Sequence, residues 1–206
     1  FKAKTIIIAT GAVPRELGVP GEKELVGRGV GYCATCDGMF YRNKTVMVIG
    51  GGNTAAADAM TLSRICEKVI LVHRRDSLRA TKVYHKQLEE TPNIEFYWNT
   101  TVSEFLYDKK LTGAKLHNVK TGEDTEIPVD GAFISIGRKP SSELFEGILA
   151  MDKAGYIIAD ESTRTNIPGV FAIGDVRTKA LRQVVTAVAD GATASHYIEE
   201  YLAHQM

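Results

Sequence analysis

The sequence is poor in cysteine, with three among 206 residues. That is too few for a disulfide scaffold. Long apolar runs are also missing. The longest, Thr5-Ile-Ile-Ile-Ala9 and Val69-Ile-Leu-Val72, fall far short of a bilayer span. Neither charge is in excess: 25 basic and 25 acidic side chains balance, so nothing draws the surface toward nucleic acid. No charged-then-apolar leader opens the chain, and there is no repeat or low-complexity segment. The expectation is a soluble cytoplasmic protein with no membrane or nucleic-acid partner. An apolar content of 44% with 24% charged residues supports real cores, and the length suits one large domain or two modest ones. The first residue is Phe1, and Lys2-Ala-Lys-Thr-Ile-Ile-Ile-Ala9 reads as a strand without lead-in. The chain is therefore expected to be a fragment.

The strand ending at Ala9 leads to a stretch with two prolines and two glycines, Val13 to Gly21, which reads as a crossing between domains. Next, Thr45 to Ile49 reads as a buried strand, Gly50 to Ala55 as a tight turn, Ala55 to Ile65 as a helix and Lys68 to Val72 as a second strand. This order is a βαβ unit and implies a parallel sheet. A polar helix is expected over Arg79 to Glu90, stopped by Pro92. Four short segments, Ile94 to Trp98, Thr101 to Tyr107, Leu111 to Val119 and Thr125 to Val129, read as an antiparallel meander. Gly131 to Ile136 reads as a buried strand that ends at a second crossing, Gly137 to Pro140. Strands are expected at Tyr156 to Ala159 and Gly169 to Ile173. The final helix is expected from Arg182 to Leu202, with Val184, Val188, Ala192 and Ile198 spaced for one apolar face.

Gly50-x-Gly52-x-x-Ala55 lies between a strand and a helix, where a dinucleotide fingerprint requires it. Glycine permits the turn and leaves room for a pyrophosphate against the backbone. The helix beginning near Asn53 presents unpaired N–H groups to phosphates. A ligand-free glycine turn is the plainer alternative. NAD-specific sites place an acid at the end of the second strand. Here that strand ends Val72-His73-Arg74-Arg75, with Arg79 close behind. Guanidinium forks suit a 2′-phosphate and favour NADPH over NADH, although a solvated basic turn would read alike. His73 can stack on or hydrogen-bond the adenosine end, or simply pack.

Cys33-Ala-Thr-Cys36-Asp37 can close a disulfide or bind metal. A structural zinc would need two further ligands. Cys66 stands alone and no His-x₃–₅-His pair follows, so no metal site is expected. Thiol–disulfide exchange remains, with Asp37 placed to exchange protons with a thiol. Cys66, at the end of an apolar helix, reads as inert core. Hydride does not readily attack a disulfide, so a flavin is the expected link between nicotinamide and dithiol.

Together these motifs resemble the low-molecular-weight bacterial NADPH-dependent thioredoxin reductases. The shared segments also include Ala9-Thr-Gly-Ala12, Ile136-Gly-Arg-Lys-Pro140, Gly169-Val-Phe-Ala-Ile-Gly-Asp175 and Arg182-Gln183. The resemblance implies an α/β, Rossmann-like, two-domain pyridine nucleotide-disulfide oxidoreductase fold that binds FAD and NAD(P), with the first part of the FAD domain missing. Residues 1–13 would close the first FAD segment, 14–139 would form the NADPH domain with the redox pair, and 140–206 the second FAD segment. It also implies catalytic Cys33, Cys36 and Asp37, with Cys36 facing the flavin. Gly50, Gly52, Asn53, Thr54, Ala55, His73, Arg74, Arg75 and Arg79 would bind NADPH. Thr10, Gly11, Gly174, Asp175, Arg182, Gln183 and Val184 would bind FAD. The partner would be thioredoxin or a similar small dithiol protein, the parent a homodimer, and the two crossings hinges for domain rotation. Two other readings stay open: reduction of another dithiol protein of peroxiredoxin or glutaredoxin type, and an NADPH-binding fragment without turnover. Only one nucleotide fingerprint occurs in the sequence.

Overall fold

The computed structural model describes residues 2–205; Phe1, expected to open the chain inside a strand, and Met206 lie outside them. The chain divides into two compact units, one of Phe1–Val13 with Arg138–Met206 and the other of Pro14–Gly137. In chain order the elements begin β1 (Ile6–Ile8), β2 (Ala12–Pro14), β3 (Val30–Gly31), α1 (Ala34–Asp37), β4 (Thr45–Ile49), α2 (Asn53–Ser63) and β5 (Lys68–His73). They continue with α3 (Lys82–Glu89), β6 (Ile94–Trp98), β7 (Thr100–Tyr107), β8 (Leu111–Asn118) and β9 (Asp124–Pro128). The last are β10 (Gly131–Ile134), β11 (Arg138–Pro140), β12 (Val170–Ala172) and α4 (Val184–Ala203).

The Pro14–Gly137 unit rests on a five-stranded sheet in the order β3-β10-β4-β5-β6, with every neighbouring pair parallel. A parallel sheet is covered on both faces, so its strands are nearly continuous apolar runs. The two-residue period sorts their side chains. Val46, Val48, Val69, Leu71 and Phe133 pack on Ala55, Ala56, Ala59 and Leu62 of α2 and Leu88 of α3. Met47, Ile49, Ile70, Val72, Ala132 and Ile134 face the antiparallel sheet β7-β8-β9, where they meet Val102, Phe105, Leu111 and Leu116. Leu62 and Leu71 are fully buried, each contributing about 1.5–3 kcal/mol of apolar burial.

Ile94–Trp98, expected to begin the antiparallel meander, is instead the parallel edge strand, paired from Val69↔Ile94 to His73↔Trp98. It follows α3, and a strand returning from a helical crossover lies parallel to its predecessor. Side-chain alternation alone carries no strand direction.

In the other unit β1 pairs in parallel with β12, from Ile6↔Val170 to Ile8↔Ala172, and β2 pairs with β11. Ile8, Leu149, Ile157, Ala172 and Val176 form its core. Tyr156 to Ala159 makes only isolated bridges through Ile157 and no strand. The expected apolar face of α4 is also not the buried one: Val184 is 81% exposed, whereas Asp190 and Ala194 are buried. The inward side of α4 is set by the hydrogen bonds of Asp190, which apolar spacing cannot reveal. Among the described residues no helix is long and apolar enough to cross a membrane.

Candidate functional site

Because its strands run parallel, the Pro14–Gly137 sheet releases the connections that follow them at one carboxyl edge, the usual place for ligands in such sheets. Tyr32 and Cys33 follow β3, Gly50–Gly52 follow β4, and Ser135–Gly137 follow β10. At Gly50 φ is +153°, and a Cβ there would collide with the Ser135 carbonyl oxygen and stand 2.8 Å from Ala55 Cβ. A Cβ on Gly51 would run into the His73 ring. Gly52 differs: a Cβ there would meet nothing within 4 Å. Gly52 is also the N-cap of α2 and supplies no side-chain cap. Open space thus lies against the helix end, where backbone N–H groups lack intrahelical partners.

The loop after β5 is latched onto this turn. Arg79 and Ala80 donate their N–H groups to the Gly51 carbonyl at 2.7 and 3.1 Å, and Thr81 N–H donates to Asn53 Oδ1 at 2.8 Å. The result is a cleft of about 560 Å³ lined by Gly50, Gly51, Gly52, Thr54, His73, Arg74 and Arg79, among others. Of the residues expected there, Ala55 is buried in the helix–sheet core. The Asn53 side chain is occupied by the latch, and Arg75 is not in the lining. His73 is 5% exposed, and its Nε2 is buried without a hydrogen-bond partner among the described residues. Burial first, and then the charges of Arg79, Arg75 and Arg74, hold its imidazole below the usual range. It is therefore a neutral ring with an unpaired nitrogen. An open cradle at Gly52, a helix N-terminus, the guanidinium groups of Arg74 and Arg79 and an orphaned polar atom fit a phosphorylated dinucleotide.

Sequence reasoning missed two walls of this cleft. Arg15, Leu17 and Val19 line it from the segment read only as a crossing, and Thr100, Thr101 and Val102 line it from β7. Neither stretch carries a residue pattern that signals binding.

Cys33 and Cys36 are joined in a disulfide, with Cα atoms 5.2 Å apart. Cys33 is the N-cap of the four-residue α1 and its Sγ accepts from Cys36 N–H at 3.2 Å. Cys36 is exposed, while Cys33 and Asp37 are half-buried. Phe40, just beyond, is 77% exposed. Burial, followed by the charges of Asp37 and Asp130, pushes the Tyr41 phenol up. Cys66 is free and buried, and burial pushes its thiol up to about 11. It does not join the redox pair.

The remaining expected residues lie in the other unit. Thr10 Oγ1 donates to the Ser141 carbonyl at 2.5 Å. Gly11 has φ +73° and open space where a Cβ would stand. Gly174 N–H donates to Asp190 Oδ2 at 2.8 Å, and half-buried Asp175 lies 3.8 Å from Arg138. The Arg182 guanidinium sits 4.0 Å over the Tyr156 ring, and Gln183 N–H donates to Thr186 Oγ1 at 3.1 Å, at the start of α4. Half-buried polar groups beside the exposed apolar Val184 fit one part of a flavin site. Asp190 collects Gly174 N–H, Arg177 and Lys179. Burial would raise its carboxyl, but those hydrogen bonds outweigh it and hold the group at about 2. Among the described residues no cluster of three or more His, Cys, Asp or Glu could hold a metal ion.

A parallel sheet with a dinucleotide-type glycine turn and a cysteine pair at the same edge defines a nucleotide-binding α/β protein built for disulfide chemistry. The family described as pyridine nucleotide-disulphide oxidoreductase matches residues 1–191, and the chain belongs to it. The chain is 48% identical over 203 residues to a thioredoxin reductase of Listeria monocytogenes, covering 98% of this chain and 64% of that protein. It is 48% identical over 208 residues to one from Peptoclostridium acidaminophilum, covering 98% and 66%. The crystal structure of thioredoxin reductase from Streptococcus pyogenes superposes with a TM-score of 0.91 at 44% identity, covering 97% of this chain and 66% of that one. The chain therefore spans slightly less than two thirds of the length of these relatives.

Proposed function

We propose that this chain is the greater part of an NADPH-dependent thioredoxin-disulfide reductase. The observation that carries the reading is the Cys33–Cys36 disulfide in the same unit as a cleft that pairs the Gly52 cradle with Arg74 and Arg79. The overall reaction balances as NADPH, a proton and a partner disulfide giving NADP⁺ and a partner dithiol. The Arg74 and Arg79 guanidinium groups bind the 2′-phosphate, and the helix end at Gly52 holds the pyrophosphate. FAD, when bound by Thr10, Gly11 and the Gly174–Val184 region, supplies two-electron acceptance from hydride and its delivery to a disulfide. Reduction opens Cys33–Cys36 to a dithiol. One thiolate then attacks the partner's disulfide, and the second cysteine attacks the mixed disulfide, which releases the reduced partner and restores the bond. Asp37, following Cys36, exchanges protons with the thiols. The reading takes 14–139 as the NADPH domain and 1–13 with 140–206 as segments of an FAD domain. Likeness to the named relatives favours thioredoxin as partner; the homodimeric parent and the cytoplasmic setting rest on the family resemblance of the sequence alone.

A second reading, a nucleotide-binding module without turnover, is favoured by the single glycine fingerprint in the sequence. A visible spectrum of the chain supplied with FAD, before and after anaerobic NADPH, separates the two. Retained flavin bands that bleach on NADPH, with subsequent thioredoxin reduction, support the reductase. NADPH binding with no retained flavin supports the module. Loss of both rejects the assignment of Arg74 and Arg79.

A further inference from the structure

Glu22 is 1% exposed and lies outside every motif named above. Its carboxylate is surrounded by donors. Oε1 accepts from Leu17 N–H at 3.1 Å and from the Tyr32 hydroxyl at 2.8 Å, and Oε2 accepts from Gly18 N–H at 2.7 Å. Its own N–H donates to the Val19 carbonyl at 3.2 Å. A carboxylate this deep persists only when its lone pairs are satisfied, and here backbone and phenol satisfy them. The effect is to fold residues 17–19 around one anion. The far end of this segment is pinned as well, since Phe105 N–H donates to the Pro20 carbonyl at 3.0 Å.

Leu17 and Val19 pack against the core on the antiparallel-sheet side and also line the nucleotide cleft. Arg15 N–H donates to the Gly137 carbonyl at 3.0 Å, which places this wall beside β10. The sheet order then decides which half of a dinucleotide meets it. The glycine turn follows β4, with β5 on one side and β10 on the other. His73, Arg74 and Arg79 follow β5 and take the adenosine end, so the rest of the molecule must extend toward β10 and residues 15–19. We propose that Glu22 is a positioning residue that shapes the cleft wall for the nicotinamide half of the dinucleotide. This rests on the dinucleotide reading of the cleft.

The test is calorimetric titration of the full chain and of two variants, Glu22→Gln and Tyr32→Phe, with NADPH and with adenosine 2′,5′-bisphosphate. The second ligand carries only the adenosine half. Glu22→Gln should raise the NADPH Kd about tenfold, because charge-assisted bonds to the wall become neutral ones. Tyr32→Phe should raise it about two- to threefold, and it removes no charge should Glu22→Gln fold poorly. The Kd for adenosine 2′,5′-bisphosphate should stay within about twofold for both. Unchanged NADPH affinity in both variants overturns the proposal, as does equal weakening of both ligands, which would mark Glu22 as a general stabiliser. Failure of the unmodified chain to bind either ligand would instead overturn the dinucleotide reading and this inference with it.

Discussion

Gly50 and Gly52 stand two residues apart in one turn, and alanine should do opposite things at the two positions. At Gly52 the backbone is extended, φ −95° and ψ −177°, a conformation alanine adopts freely. A Cβ there meets no protein atom within 4 Å. The reduced freedom of the unfolded chain favours alanine by about 0.4–1 kcal/mol, and its poor fitness as an N-cap takes away a similar amount. The net change should fall within about 0.5 kcal/mol, a Tm shift under about 2 °C at this chain length. The methyl group, however, fills the space left for a pyrophosphate. Displacing a phosphate from even one backbone N–H costs roughly 1.5–3 kcal/mol, so the NADPH Kd should rise at least about tenfold. At Gly50 the Cβ collides with the Ser135 carbonyl, and φ is +153°. Relief must come from moving backbone, at a cost of about 3 kcal/mol or more, which lowers Tm by roughly 6–12 °C. Differential scanning calorimetry and NADPH titration of Gly52→Ala and Gly50→Ala measure both effects. A Gly52→Ala variant that is stable and still binds NADPH normally would refute the placement of phosphate at this helix end.

Three other outcomes follow from the same contacts. Arg74→Ala and Arg79→Ala should each raise the NADPH Kd about tenfold or more while leaving NADH unchanged; Arg75→Ala, outside the cleft lining, should change it less than about threefold. Parallel titrations with the two nucleotides check the ranking, and equal effects from all three would reject it. With the disulfide reduced, a thiol reagent at pH 8 should label two cysteines quickly and the third only on denaturation, since burial holds the Cys66 thiol at about 11. Asp190 is held at about 2 in the folded protein against 3.8 for the unperturbed carboxyl. Its stabilisation, on the order of 2 kcal/mol, is fully present above about pH 4 and is lost as pH falls toward 2. Asp190→Asn should remove that acid-dependent component and cost about 3–5 kcal/mol at pH 7, because Arg177 and Lys179 would be left buried without their anion. Thermal melts across pH 2–7 for both proteins give the comparison.

Much of the Pro14–Gly137 unit was legible because its signals are local. A buried apolar strand, a glycine turn and a helix in sequence specify a βαβ unit whatever surrounds them. The position of His73, Arg74 and Arg79 relative to that turn follows from the same short range. The spacing of Cys33 and Cys36 likewise allows the disulfide that the fold holds. These readings need only covalent connectivity and side-chain size.

What only the tertiary structure decided involves partners distant in sequence. The direction of Ile94–Trp98 depends on which strand it joins, and its own alternation is the same either way. The inward face of α4 is chosen by Asp190, whose cationic partners come from a preceding loop. That choice leaves apolar Val184 and Val188 outside, against their spacing. Asn53 reads as a phosphate-facing helix start, but the fold uses its side chain to hold Thr81. Residues 15–19 look like punctuation between elements, yet Arg15, Leu17 and Val19 line the cleft. Local pattern determines which element forms and where its chemistry is mounted. A buried charge must find its donors wherever the fold brings them, so the faces, walls and latches around that chemistry are set by long-range contacts.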